Sequence, residues 1–105
     1  MVEHPVIGES ILRRLPQLAV LAPIVRHEHE HWDGSGYPDR LHGGQIPIGS
    51  RIILACDADV AMTTRRPYRN ALTPQQALAE LRAGAGRQFD PQVVEALLDV
   101  LGDVN

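Results

Sequence analysis

His27-Glu28-His29-Glu30-His31-Trp32-Asp33-Gly34-Ser35-Gly36-Tyr37-Pro38 alternates imidazole with carboxylate and then stops in a turn rich in glycine and proline. The apolar residues before it, Leu18, Leu21, Ile24 and Val25, recur at helical spacing and predict a helix over 18–31 whose last turn carries these groups. On such a helix His27 and His31, four apart, share a face and suit chelation of one metal ion. Neighbours such as Glu28 and His29 diverge by about 100° and would serve two adjacent ions, or an ion and a proton. The competing reading is a solvated helix end, its imidazoles drawn to the negative pole of the macrodipole. Asp33 to Pro38 cannot continue a helix. The glycines supply unusual dihedrals and Pro38 holds Tyr37 extended, so a shaped loop sits beside the candidate ligands.

Working outward, the residues before this stretch predict a first helix over 1–15. Pro5 lies in its first turn, and Ile7, Ile11, Leu12 and Leu15 form one apolar stripe. His4 therefore stands at a helix start, where a histidine taken by itself reads as an ordinary surface group rather than a ligand. Pro16 ends that helix. After the loop, 39–44 reads as a short polar linker. Ile48 to about Thr64 then forms a broadly apolar, central helix through Ile52, Ile53, Ala55, Cys56, Val60 and Ala61.

Asp57 and Asp59 fall inside that run, and buried carboxylates need a metal, a cation or several donors. They lie about 200° apart on the helix and should point in different directions. Asp57 reads either as a ligand or as one half of a salt bridge. Pro67 fixes the helix exit into the basic loop Arg65-Arg66-Pro67-Tyr68-Arg69. Thr73-Pro74-Gln75-Gln76 has the form of a capping box and starts a helix that stops at Gly84-Ala85-Gly86. Asp90-Pro91 opens a last helix with Val93, Val94, Ala96, Leu97, Leu98 and Leu101 on its apolar face. These elements predict an all-α architecture of about five helices joined by short loops.

A chain of 105 residues supports one small domain, 1–105. Ten arginines and no lysine stand against thirteen acids, a net charge of -3, which offers no footprint for duplex nucleic acid or an anionic membrane. Phosphate recognition would have to be local, and guanidinium forks suit it. The single cysteine, Cys56, excludes an internal disulfide, fits a reducing cytoplasm and reads as a buried small apolar residue rather than a nucleophile. No apolar run is long enough for a membrane span.

The stretch Glu28-His29-Glu30-His31-Trp32-Asp33-Gly34-Ser35-Gly36-Tyr37-Pro38 resembles the HHExxDGxGYP signature of HD-GYP domains, a branch of the HD metal-dependent phosphohydrolases. His4-Pro5 with Gly8, Ile46-Pro47-Ile48-Gly49, Arg66-Pro67-Tyr68-Arg69 and Gly84 to Pro91 match further family stretches in family order. The resemblance implies an HD-type helical bundle that hydrolyses the bacterial second messenger cyclic di-GMP in two-component signalling. It implies iron or manganese as the metal, with zinc as the alternative, held by His4, His29 and Asp57. Glu28 replaces the first of the family's paired histidines. Arg66 and Arg69 would hold the phosphates, and Tyr37 would wall the pocket. The Gly36-Tyr37-Pro38 loop would meet partners of the diguanylate-cyclase type or sensor and receiver domains.

Three features depart from the family. Glu28 alters the charge of the ligand set, and Val60 stands where a second aspartate is common. The upstream helix with the His-Asp doublet is missing, so the chain reads as the C-terminal half of a catalytic domain truncated at its N-terminus. That predicts weak or no hydrolysis by the isolated chain, and an uncovered apolar face prone to self-association or partner binding. The alternative function is a degenerate, non-catalytic module that binds nucleotide or a signalling partner. A third reading is an excised piece whose activity resides in a longer protein.

Overall fold

The computed structural model describes residues 3–65, 67, 68 and 70–104, with the side chains of 3, 4, 103 and 104 outside that description. Among the described residues five α-helices follow in order: α1 (Glu3–Arg13), α2 (Ala22–Arg26), α3 (Ile48–Thr63), α4 (Pro74–Gly84) and α5 (Pro91–Val104). Short 3₁₀ turns at Ala19–Leu21 and Gly43–Gln45 lie before α2 and before α3. Among the described residues there is no strand, only an isolated bridge between Ala85 and Phe89. The all-α expectation holds.

The core lies between α3, α4 and α5, where Ala55, Leu81, Phe89, Val93 and Val94 are buried together and Leu54, Ala58, Met62, Leu97 and Leu98 pack around them. The α4 start follows the capping chemistry. Thr73 Oγ1 accepts the Gln76 amide at 3.1 Å while Gln76 Oε1 accepts the Thr73 amide at 2.9 Å, so two orphan donors of the first turn are satisfied. Asp90 begins α5 by accepting the Gln92 amide at 2.8 Å. Its second oxygen, 2.7 Å from Arg51 Nη1, pins α3 to that helix start.

Helices α1 and α2 form an annexe on the N-terminal end of α3. Two glycines allow the approach: a Cβ on Gly8 would lie 2.7 Å from Val25 Cγ1, and one on Gly49 3.1 Å from Ile24 Cδ1. Ser50, buried in the same seam, donates its hydroxyl to the Ile24 carbonyl at 2.6 Å.

Three expectations need correction. The helix expected over 18–31 is only a 3₁₀ turn and the five residues of α2, ending at Arg26. In a continuing helix the His29 carbonyl would accept from Asp33; here it accepts from Tyr37 at 3.2 Å, while the Trp32 and Asp33 amides donate to Gln88 and Arg87 at 2.9 and 2.8 Å. Tertiary acceptors outcompete the helical ones. Next, α3 is buried on one face only, and Asp57, expected inside, is exposed. Cys56 is likewise exposed rather than buried, at the edge of an open apolar face. Apolar composition did not distinguish a helix covered all round from one covered on one side.

Candidate functional site

The loop from His27 to Ile46 is held by Glu30, whose side chain is fully buried. Its Oε2 accepts the Asp39 amide at 2.9 Å and its Oε1 the Leu41 amide at 3.0 Å. Between those two amides Arg40 takes a positive φ of 54°, the left-handed turn that swings both N–H groups toward one anion. His27 Nδ1 stands 3.1 Å from Glu30 Oε2. Outside this hub, Arg26 grips both oxygens of Asp39 at 2.7 and 2.9 Å and reaches Glu9 of α1 at 2.8 Å. One guanidinium thus joins α1, the end of α2 and the loop.

The electrostatics follow from that geometry. The hydrogen-bonded guanidinium of Arg26 lowers the pKa of Asp39. Burial pushes Glu9 up, but Arg26 and Arg13 outweigh it and leave its pKa lowered. Arg26 itself is raised, first by Asp39 and then by Glu9. Asp33 is lowered by the Ser35 hydroxyl and amide, at 2.6 and 3.0 Å from its Oδ1.

Gly36 is buried beneath the loop because its backbone lies on the backbone of 29–31. A Cβ there would collide with the His29 carbonyl oxygen and the His31 amide nitrogen, and would stand 2.7 Å from Glu30 Cα. This contact presents Tyr37, whose ring stacks on His29 with centroids 5.2 Å apart and planes 25° from parallel. The Tyr37–Pro38 peptide is cis.

His27, Glu30 and Asp39 form the one set of three donors within 4.8 Å of one another among the described residues. Yet every carboxylate oxygen in it already accepts from an amide or from Arg26. This trio is a clamp for the loop rather than a vacant ligand set. Glu28 and His29 are different. Oε1 of Glu28 lies 3.8 Å from Nε2 of His29, both side chains are partly exposed, and neither makes a hydrogen bond among the described residues. Their donor chemistry, imidazole beside carboxylate, fits a divalent cation.

Among the described residues, no other expected site residue forms a three-donor set with Glu28 and His29. Asp57 sits on the exposed side of α3 and belongs to no three-donor set with Glu28 and His29. Asp59 lies elsewhere, half-buried beside Leu78 and Leu101, in keeping with its angular separation from Asp57. The backbone of His4 lies in α1, one turn before Gly8, with its side chain outside the description, as Arg66 and Arg69 are. His27 and His31 do not share a helix face: His31 Nδ1 turns to Ser35 Oγ at 3.1 Å. Partial burial, followed by Asp57 and Asp59, raises the Cys56 thiol, which is the opposite of nucleophile activation. Sequence reasoning passed over Glu30, Arg26 and Asp39. The available signal was a loop full of amides without a ladder, which must find acceptors.

The profile described as HD domain matches residues 1–93, well over half of the chain. The chain belongs to the HD domain family. This HD domain is 46% identical over 102 residues to the cyclic di-GMP phosphodiesterase response regulator RpfG of Xanthomonas campestris, with 93% of this chain and 26% of RpfG covered. It is 44% identical over 103 residues to the 3'3'-cGAMP-specific phosphodiesterase 2 of Vibrio cholerae, covering 94% and 19% of the two chains. Among solved structures it resembles the cyclic GMP-AMP specific phosphodiesterase V-cGAP3 of V. cholerae, with a TM-score of 0.79 and 28% identity over 90% of this chain and 22% of that one. The HD domain thus spans about a fifth to about a quarter of the length of these relatives. The resemblance to the HD-GYP branch stands, and no helix is long and apolar enough to cross a membrane among the described residues.

Proposed function

We propose that this HD domain is the ligand-bearing part of a metal-dependent phosphodiesterase for a cyclic dinucleotide of the cyclic di-GMP type. The observation that carries the reading is the contrast within one loop. Glu30 and Asp39 are fully engaged, while the side chains of Glu28 and His29 make no hydrogen bond among the described residues and stand half-open, His29 backed by Tyr37. In this reading His29 and Glu28 hold an iron or manganese ion, with His4 and, once brought closer than it stands here, Asp57 completing the ligand set. A divalent cation there would polarise a phosphodiester and supply hydroxide at neutral pH. Tyr37 fixes the His29 ring by stacking and walls the pocket, and Arg66 and Arg69 clamp phosphate oxygens through bidentate guanidinium contacts. The buried clamp at Glu30 keeps the loop in one conformation, so the imidazole is oriented before substrate arrives.

Three family-type ligands and Glu28 are too few to hold a multi-metal cluster that still offers positions to water and substrate. The isolated chain therefore hydrolyses little or nothing by itself. Metal analysis after anaerobic loading with iron or manganese tests the ligand set: near-stoichiometric metal lost in His29→Ala and in Glu28→Ala supports it. Equal metal uptake by all three proteins overturns it. Clear turnover of cyclic di-GMP by purified 1–105 overturns the expectation of weak activity.

The second reading, a non-catalytic module that binds nucleotide or a diguanylate-cyclase-type partner through Gly36, Tyr37 and Pro38, is favoured by Glu28, by Val60 and by the exposed position of Asp57. A folded, metal-free protein that binds such a partner supports this second reading.

A further inference from the structure

Helix α1, whose backbone carries His4, packs against α2 and the 3₁₀ turn before it, while Ile7 and Ile11 of its apolar stripe stay 56% and 57% exposed. Packing of that kind grips a helix on one side and leaves its tilt poorly fixed. Among the described residues, the one side-chain hydrogen bond that leaves α1 runs from Arg26 Nη1 to Glu9 Oε1 at 2.8 Å. The rest of that guanidinium faces the loop. Its Nε and Nη2 donate to both oxygens of Asp39 at 2.7 and 2.9 Å, a planar fork that fixes direction as well as distance. Asp39 belongs in turn to the buried clamp, since its amide donates to Glu30 Oε2 at 2.9 Å, and Glu30 is the neighbour of His29. We propose that Arg26 is a positioning residue for the metal site: it sets the tilt of α1 against the loop, and with it the distance from the His4 end of that helix to His29 and Glu28. The inference rests on the reading of those three residues as ligands given above.

The lever is long enough to matter. His4 lies five residues before Glu9, about 7.5 Å along the helix axis. A tilt of α1 by about 10° around Glu9 would move the backbone at His4 by about 1.3 Å, several times the tolerance of about 0.2 Å on a metal–ligand distance. The pivot falls there because α2 approaches at Gly8, the preceding residue, where a Cβ would lie 2.7 Å from Val25 Cγ1. An ion pair fully in water would hold such a lever weakly. Here the Glu9 side chain is only 12% exposed, which reduces screening, and Arg13 Nη2 at 2.9 Å from Glu9 Oε2 holds the same carboxylate from within its own helix. None of the hydrogen bonds of Arg26 goes to Glu28 or His29, so its action is on the helix and not on the ion.

The probe is manganese(II) with the full chain, followed through two signals: affinity, from the electron-spin resonance of the free ion, and paramagnetic broadening of the assigned histidine ring resonances. In the parent chain the bound ion should broaden His4 and His29 alike. Arg26→Gln should weaken binding about tenfold, the scale on which groups that hold a ligand in place act. At equal occupancy it should leave His29 broadened while His4 sharpens, a separation that a general loss of stability would not produce. Glu9→Gln cuts only the α1 leg, leaves the Arg26–Asp39 fork in place and should give the same separation. Circular dichroism should show both variants folded, and Glu9→Gln decides the matter should Arg26→Gln not fold. Affinity and broadening unchanged in either folded variant overturn the role of Arg26, and the ligand reading stands if His29→Ala still abolishes binding. Weaker binding with His4 and His29 still broadened alike overturns it too, as does a parent chain in which the ion broadens His29 but not His4. A parent chain that binds no manganese, or binds it equally after His29→Ala, overturns the ligand reading and this inference with it.

Discussion

Replacing Glu30 by alanine removes the acceptor for two backbone amides that have no other partner in the loop. The side chain is fully buried, its oxygens take the Asp39 and Leu41 amides at 2.9 and 3.0 Å, and His27 Nδ1 adds a third contact at 3.1 Å. Each buried N–H left unsatisfied costs about 1–3 kcal/mol, and the vacated volume adds to that. A total of about 4 kcal/mol is expected, against about 5–15 kcal/mol for the whole of a domain this size. Glu30→Gln keeps the shape but turns one NH₂ toward an amide donor and should cost about 2 kcal/mol. Urea unfolding provides the assay. With a denaturant slope of about 1–3 kcal/mol/M the alanine variant should lose about 2 M in midpoint and the glutamine variant about half of that. The only tryptophan, Trp32, sits in the loop, with the Arg51 guanidinium 5.9 Å from its ring centroid, so its emission reports the loop while far-UV dichroism reports the helices. In Glu30→Gln the tryptophan signal should change first, with α3, α4 and α5 intact. If Glu30→Ala unfolds within about 0.5 kcal/mol of the parent chain, an ordinary surface effect, the clamp is wrong.

Two other outcomes follow from the same loop. Gly36→Ala drives a methyl group into the backbone of 29–31 and should destabilise by about 3 kcal/mol, with loss of the Tyr37–His29 stack visible as a shift of the His29 ring resonances; a variant as stable as the parent would contradict the close approach. Arg26→Gln should make stability less dependent on acid. Asp39 and Glu9 have folded pKa values below their unfolded ones, so their contribution is present above about pH 4, where the unfolded carboxylates ionise, and is lost as pH falls through the folded values. The deficit of Arg26→Gln should be largest near pH 6–7 and fade below about pH 4, and a deficit independent of pH would count against the Arg26 network.

Much of the backbone plan was legible without coordinates because it rests on local chemistry. The Thr73–Gln76 capping box, Pro74 in the first turn, the stop at Gly84 and the α5 start at Asp90 are each decided by residues within one turn of one another. The Gly36-Tyr37-Pro38 loop was equally readable as a loop. Legibility ended where distant groups compete. Nothing in the periodicity of 18–31 tells that the Trp32 and Asp33 amides will find carbonyls in 87–88, and that competition ends α2 at Arg26 and pulls His27 and His31 apart.

By itself the sequence determined the helical class, most of the helix starts and the presence of an imidazole–carboxylate cluster beside a rigid turn, because propensity, capping and turn geometry act over a few residues. Only the tertiary structure decided which of those groups are already used. Burial of Glu30 beneath converging amides makes it a structural anion. The same packing leaves Glu28 and His29 open, and one-sided covering of α3 brings Asp57 and Cys56 to the surface. Desolvation and hydrogen-bond satisfaction depend on what stands on every side of a group, and that is fixed only when the helices pack.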